Sequence, residues 1–355
     1  MTQRIDLETE AMHQAGLRYI SSQDKGYQRI RKGDTFCYFD HKESIIHNPK
    51  TLDRIRKLVI PPAWQEVWIC RYANGHIQAT GIDSRGRKQY RYHALWTALR
   101  TRDKFNNLYS FGQHLPRLEK QIVRDLKQKE LTKDHVCAVA LAVMSMTYFR
   151  VGNDIYEKEN KSYGLTTLRN RHVKQVSTDK MFFRFIGKKG VRQQSYLKQK
   201  GLVALLAKVK EIPGQRLFQY YDKNKEITPL ESGDLNNYLR HSMNLEVTCK
   251  TMRTWYACIL TLQYLSRSEI PTTEHGRKDE LLQTIDTVAQ HLGNTRAVTR
   301  KHYIHPCLQE LYLSGKLDSW IRRNATKQHD PTNPVYRKKL MQILQHFSPA
   351  ESLAH

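Results

Sequence analysis

The chain has 355 residues, of which 39% are hydrophobic and 10% aromatic, enough apolar material for a buried core and more chain than one average domain needs. This composition excludes a wholly disordered protein. Lys and Arg number 59 against 34 Asp and Glu, a formal net charge of +25 that argues against a metabolic enzyme with a small neutral substrate and requires a polyanionic partner, most simply a nucleic acid.

The N-terminus carries Asp6, Glu8 and Glu10 and lacks an apolar core, so no secretory signal is expected. Up to residue 92 the chain reads as strand-rich. Thr35–Phe39 is a short β-favouring run, and Pro61-Pro62 marks a turn. Residues 67–72 and 77–80 flank Asn74-Gly75, a strong local hairpin signal. After His93 the pattern turns helical. Leu118, Ile122, Val123 and Leu126 fall on one helical face, with Pro116 suited to that helix's first turn. Residues 136–149 are apolar nearly all round, which predicts a central core helix; the stretch is shorter than the roughly 20 residues of a membrane span.

Residues 181–186, the tetrad Gly187-Lys188-Lys189-Gly190 and the segment from Val191 onward read as a β-hairpin with two lysines at its tip. Leu281, Leu282, Ile285, Val288, Ala289 and Leu292 repeat at helical spacing and stop at Gly293, a C′ residue. Residues 266–276 and the tail after Arg323 read as mobile, with the pattern of an extra helix over 338–346. The six cysteines, at 37, 70, 137, 249, 258 and 307, form no C-x-x-C pair, so reduced thiols and a cytoplasmic setting are expected. The predicted fold class is α+β. A small β-rich domain occupies 1–92, a larger mainly helical domain 93–323, and a tail 324–355.

Several segments carry chemistry. In residues 83–92, Arg85, Arg87, Lys88 and Arg91 interleave with Gln89, Tyr90 and Tyr92. Cations neutralise phosphates, while Gln and Tyr reach base edges or phosphate oxygens. Basic turns are usually only solvated, but the net charge and the interleaved aromatics favour DNA contact here. Arg150, in Arg150-Val151-Gly152-Asn153, ends an apolar helix, so a buried stem would fix its planar donors as a phosphate clamp requires. The plain alternative is an ion pair with a carboxylate. Lys250 and Arg253 stand three apart, on one face if helical. Tyr303 follows a basic cluster nine residues after Asn294, and taken singly it is a packed aromatic before it is a nucleophile. His302 and His305 are too slight a pair for a metal site and are expected to face DNA or solvent.

Read in order, these residues resemble the catalytic domain of type IB DNA topoisomerases, most closely the small poxvirus-like branch that also occurs in bacteria. The resemblance runs from the Pro61-Pro62-Ala63-Trp64 region to about Trp320. It implies a catalytic set of Arg150, Lys188, Arg253, Asn294 and Tyr303. The basic turn from Gly86 to Tyr92 also resembles the major-groove reading segment of that branch, which implies DNA contacts from Arg87, Lys88, Gln89, Tyr90 and Tyr92; Arg85, Tyr156, Lys161 and Lys250 are further candidate DNA contacts. Lys188 is chosen over Lys189 because it directly follows Gly187, as in the family's G-K pattern. Asn294 stands where many relatives carry histidine; an amide is no useful proton donor, which leaves it hydrogen bonding to a non-bridging oxygen.

The activity so implied is relaxation of supercoiled DNA by transient cleavage of one strand. Tyr303 would form a 3′-phosphotyrosyl link while Arg150, Arg253 and Asn294 clamp the phosphate. Lys188 would protonate the leaving 5′ oxygen, since a lysine beside other cations is a stronger acid than an isolated one. Neither a P-loop nor a carboxylate cluster is visible, so no ATP, metal or other cofactor is expected. The partner would be double-stranded DNA in a monomeric clamp whose domains join near residues 91–95, with no membrane role. Two alternatives stand beside this. A tyrosine recombinase usually shows H-x-x-R where this chain has Lys250-x-x-Arg253, and begins with a helical module. A non-catalytic basic DNA-binding protein gives no reason for the ordered Arg, Lys, Arg, Asn and Tyr set.

Overall fold

The structure, a computed structural model, describes residues 12, 14–84, 86–325 and 333–347, apart from the side chains of residues 98–104, 106 and 156. Its contacts group the chain into two units, Met1–Lys104 and Phe105–His355.

In the first unit, β1 (Tyr27–Lys32), β2 (Thr35–Phe39), β3 (Gln65–Ile69), β4 (Ile77–Ile82) and β5 (Lys88–Tyr92) form an antiparallel sheet in the order β2-β1-β3-β4-β5. Helix α1 (Pro49–Lys57) covers one face, its Ile55 packing with Val67, Ile69 and Ala79. It begins where Asn48 accepts from the Thr51 amide and Pro49 opens the first turn. The Pro61-Pro62 turn is held by Arg29, which donates to the carbonyls of Ile60, Pro61 and Trp64. The β3–β4 connection is not the tight turn that Asn74-Gly75 predicts. The buried Gln78 donates its amide to the carbonyls of Tyr72, Ala73 and Gly75, so a side chain shapes a longer loop.

Helix α2 (Ala94–Asp125) begins in the first unit and continues into the second. Pro116, predicted in a first turn, lies inside it. An interior proline removes one helical donor. Phe105, Leu108, Phe111, Leu115 and Leu118 nevertheless continue one buried stripe through that point, and packing carries the helix past it. Val123, predicted on that buried face, is 54% exposed.

Helix α3 (Lys133–Thr147) is the predicted central helix, with residues 136–141, Val143 and Met144 all buried. After α4 (Asp154–Asn160), strands β6 (Val173–Ser177), β7 (Lys180–Ile186) and β8 (Arg192–Lys198) form the antiparallel sheet β6-β7-β8. Helices α5 (Lys200–Lys210), α6 (Ser232–Met243) and α7 (Cys249–Leu265) pack around α3, with the small ribbon β9 (Gln219–Tyr221) and β10 (Ile227–Pro229) between α5 and α6 in the chain. Then follow α8 (Glu274–Leu292), α9 (Arg296–His302), α10 (Pro306–Leu313), α11 (Asp318–Asn324) and α12 (Pro334–His346). The last of these is longer than the expected extra helix and packs on α7, burying Tyr336, Leu340, Ile343 and Leu344 in the main core. Residues 266–276 are likewise anchored: Ser266 is buried against Tyr336, and Thr273 caps α8. Among the described residues no helix is long and apolar enough to cross a membrane.

Candidate active site

The site is built from the start of α7 and the C-terminal ends of α3, α8 and α9. Helix α7 presents Lys250, exposed, and Arg253, only 3% exposed. Arg253 uses its whole fork. Nε donates to the Tyr148 carbonyl at 2.8 Å, Nη2 to the Leu292 carbonyl at 2.7 Å and Nη1 to the Tyr303 hydroxyl at 3.1 Å. Burial pushes its pKa down to about 10, so it remains a cation at neutral pH.

The two carbonyls that hold Arg253 belong to helix ends closed by left-handed residues. Helix α3 is capped by Tyr148 at φ 56°, and α8 by Gly293 at φ 60°. A helix C-terminus carries about half a negative charge, so these carbonyls steady a guanidinium without neutralising it. Gly293 is the C′ glycine that the sequence predicts. Tyr148 is unannounced, since the left-handed conformation costs a non-glycine residue roughly 1–2 kcal/mol. It ends the helix two residues before Arg150.

Arg150 donates Nη2 to the Gly293 carbonyl at 2.9 Å and to Asn294 Oδ1. Its own backbone is pinned by the Leu165 amide, which donates to the Arg150 carbonyl at 2.7 Å. Gly164 permits this approach, because a Cβ there would lie 2.7 Å from the Arg150 oxygen and the Gly152 nitrogen. Among the described residues neither Arg150 nor Arg253 pairs with a carboxylate, which removes the plain ion-pair reading of Arg150.

Tyr303 closes α9. Its amide and that of the fully buried Ile304 share the Thr299 carbonyl, at 3.0 and 3.1 Å. Cys258 on α7 fixes the same turn, donating Sγ to the Tyr303 carbonyl and accepting from the His305 amide. Burial raises the phenol's pKa, but the charges of Arg253, Arg150 and Lys250 and the Asn294 amide outweigh it, so Tyr303 lies below the ordinary tyrosine value. Asn294 reaches the phenol closely enough to contribute, yet its buried Nδ2 meets no described group in good hydrogen-bond geometry. His305 departs from expectation. It caps α10 by accepting from the Cys307 amide and stands edge-on to Phe105, and burial pushes its pKa down to about 4.

The predicted hairpin is present. The Gly187 amide donates to the Val191 carbonyl at 2.8 Å, and Lys189 and Gly190 take left-handed φ of 62° and 75°. Lys188 lines a cavity with Arg150, Gly152, Gln193 and Leu292, and Lys189 does not. Phe149 stands edge-on to Phe183 and Phe185 of β7, so Arg150 and the lysine hairpin share one support.

In the first unit, Asp83 accepts from the Arg87 amide, from Arg87 Nε and Nη2, and from Gln89 Nε2, so two predicted DNA-contacting residues are tethered to a carboxylate. Lys88 donates to Ser22 Oγ. Tyr90 and Tyr92 are 43% and 47% exposed, with near-parallel rings 5.8 Å apart. Arg85 lies outside the described residues, as does the side chain of Tyr156 on α4; Lys161, just past α4, is exposed. The structure therefore brings Arg150, Arg253, Asn294 and Tyr303 together, adds the charge of Lys250, and sets Lys188 on Arg150's cavity. Sequence reasoning missed Tyr148, Cys258 and Gln193, none of which carries a motif.

Comparison with known proteins adds independent findings. The family model for the catalytic core of eukaryotic DNA topoisomerase I matches residues 93–312, and that for the N-terminal domain of bacterial DNA topoisomerase IB matches residues 35–83. DNA topoisomerase 1B of Acanthamoeba polyphaga mimivirus is 36% identical over 300 residues, covering 82% of this chain and 88% of the viral one. DNA topoisomerase 1B of vaccinia virus (strain Copenhagen) is 26% identical over 240 residues, covering 65% and 71%. DNA topoisomerase 1 beta of Arabidopsis thaliana is 23% identical over 202 residues, covering 57% of this chain and 21% of the plant one. Matches in both units agree with the buried arginine–tyrosine centre, and the chain belongs to the type IB DNA topoisomerase family.

Proposed function

We propose that this protein relaxes supercoiled duplex DNA by cutting one strand, holding the cut end covalently and resealing it. Tyr303 Oη attacks phosphorus in line. The P–O5′ bond breaks as the P–O bond to tyrosine forms, and the phenolic proton passes to solvent. Lys188 gives its proton to the departing 5′ oxygen, leaving a 3′-phosphotyrosyl link and a free 5′ hydroxyl. Religation runs the same steps backwards, with the 5′ hydroxyl returning its proton to the Lys188 amine. One ester replaces another, so bond energy is conserved and the cycle has no use for ATP.

Charge that grows on the non-bridging oxygens would be met by Arg150, Arg253 and Asn294, the task that divalent metals perform in many nucleases. Arg87, Lys88, Gln89, Tyr90 and Tyr92 of the first unit would contact the duplex, with Arg85, Tyr156, Lys161 and Lys250 adding to the binding surface. A single chain would suffice. The observation that carries this reading is the Tyr303 hydroxyl, held 3.1 Å from a buried Arg253 that no described carboxylate neutralises.

The test is relaxation of a negatively supercoiled plasmid in EDTA without nucleotide. A ladder of partly relaxed topoisomers is the expected product. Plasmid that stays supercoiled, or strand exchange that depends on paired sites, would overturn the reading.

A further inference from the structure

We infer that Gln193 is a positioning residue that docks the lysine-bearing hairpin against the turn holding Arg150 and Asn294. The inference rests on the reading of Lys188 as the proton donor. Gln193 lies on β8 just past the tip and pairs across the hairpin with the buried Phe185. Its side chain bridges two glycine backbones. A Cβ on Gly187 would lie 3.0 Å from Gln193 Cγ, so the stem rests on the base of the tip. At the other end, a Cβ on Gly293 would fall 2.7 Å from Gln193 Cδ and closer still to the amide atoms. Only a glycine lets the amide seat there. The residue it seats on is the one whose carbonyl accepts from Arg150, and the next residue, Asn294, is Arg150's other partner.

Gln193 also stands between two cavities. It lines the one shared by Lys188 and Arg150, and the neighbouring one lined by Gly293 and Asn294. Among the described residues its amide makes no hydrogen bond, so it acts by length and shape. Without that prop the tip would shift relative to the clamp, and a displacement of about 1 Å costs up to roughly 10²-fold in rate. The shift would harm the proton donor and spare the clamp.

Single-turnover cleavage by the full-length protein, on duplexes with either oxygen or sulfur bridging phosphorus and the 5′ carbon, separates these effects. A thiolate leaves without a proton. Gln193→Ala is expected to cleave the oxygen substrate roughly 10–10²-fold more slowly and the sulfur substrate at close to the wild-type rate. Gln193→Met, which keeps the length and drops the amide, should cleave both normally. Equal slowing on the two substrates, no slowing on either, or a Met variant as slow as the Ala variant overturns the inference. Lys188→Ala is run beside them. If sulfur fails to restore that variant, the acid assignment falls and the role given to Gln193 falls with it; if sulfur restores Lys188→Ala but not Gln193→Ala, the inference on Gln193 fails alone.

Discussion

Tyr303→Phe removes one oxygen atom, and the structure makes two separable effects of it. The first is chemical: the proposed nucleophile is gone, so no covalent adduct should form. The second is energetic. Arg253 Nη1 loses its acceptor at a site where the arginine is only 3% exposed. A buried donor left without a partner costs about 1–3 kcal/mol. In a domain of some 250 residues each kcal/mol lowers Tm by roughly 2–4 °C, so the variant should melt roughly 2–12 °C below the wild type. DNA binding should persist, because phosphate contacts by cations dominate affinity. The assay is incubation with duplex DNA, denaturation with detergent and electrophoresis, with a mobility shift and a thermal melt alongside. A normal amount of adduct would remove Tyr303 from the mechanism. An unchanged Tm would show that the buried arginine does not depend on the phenol, and would refute the account of how the centre is held.

Other consequences follow from the same geometry. Gly293→Ala places a Cβ against the Gln193 amide on a backbone at φ 60°, and should cost roughly 1–2 kcal/mol in a urea melt while slowing cleavage. His305 and His172 are both pushed down to about 4 by burial, His172 also by Arg171 and Arg169. Between about pH 4 and 6.5 the unfolded chain therefore binds protons that the fold does not. Stability is full above that window, falls as pH drops through it and levels off below it. His305→Asn retains a cap for α10 and should flatten part of this profile in urea titrations. Lys250→Ala should reduce the slope of log affinity against log salt by about 1, if that lysine meets one phosphate.

The candidate site was legible in the sequence because a proposal of this kind rests on residue types in order, and those types are printed there. Arg150, Lys188, Arg253, Asn294 and Tyr303 could be proposed as a set from order and resemblance without geometry, and Gly293 announced its own helix end. What escaped detection depends on packing between distant segments. Helix α1 buries only Ile55 among nine residues rich in lysine and arginine, so it shows little apolar periodicity. Strand β1 is mostly exposed and mixes charged with other residues, so nothing singles it out within the strand-rich region. Pro116 signals a helix start that the buried stripe of α2 overrides. Nothing in the local sequence marks Tyr148 for a left-handed cap, and the carbonyl it presents is taken up by Arg253, 105 residues later. Asp83 was visible as a charge, but its hold on Arg87 and Gln89 emerged only with the turn between β4 and β5.

The partners of the two site arginines differ from those of the ion-paired arginines of the second unit. Arg169 and Arg216 pair with Glu157, Arg277 with Asp318 and Arg337 with Glu119. Arg150 and Arg253 instead rest on helix-end carbonyls, an amide and a phenol, so burial is opposed only by partial charges. That arrangement is poor for the free fold and good for an incoming phosphodiester, which would supply the missing negative charge. Asn294→Asp tests the trade directly. The new carboxylate would keep the acceptor for Arg150, add a full charge and form a hydrogen-bonded ion pair, which should raise Tm. It would also repel the phosphate and raise the Tyr303 pKa by disfavouring the phenolate. Cleavage should therefore fall further than in Asn294→Ala, although the protein is more stable. A variant that is less stable yet cleaves as well as Asn294→Ala would mean that unneutralised charge is not what this site is built to hold.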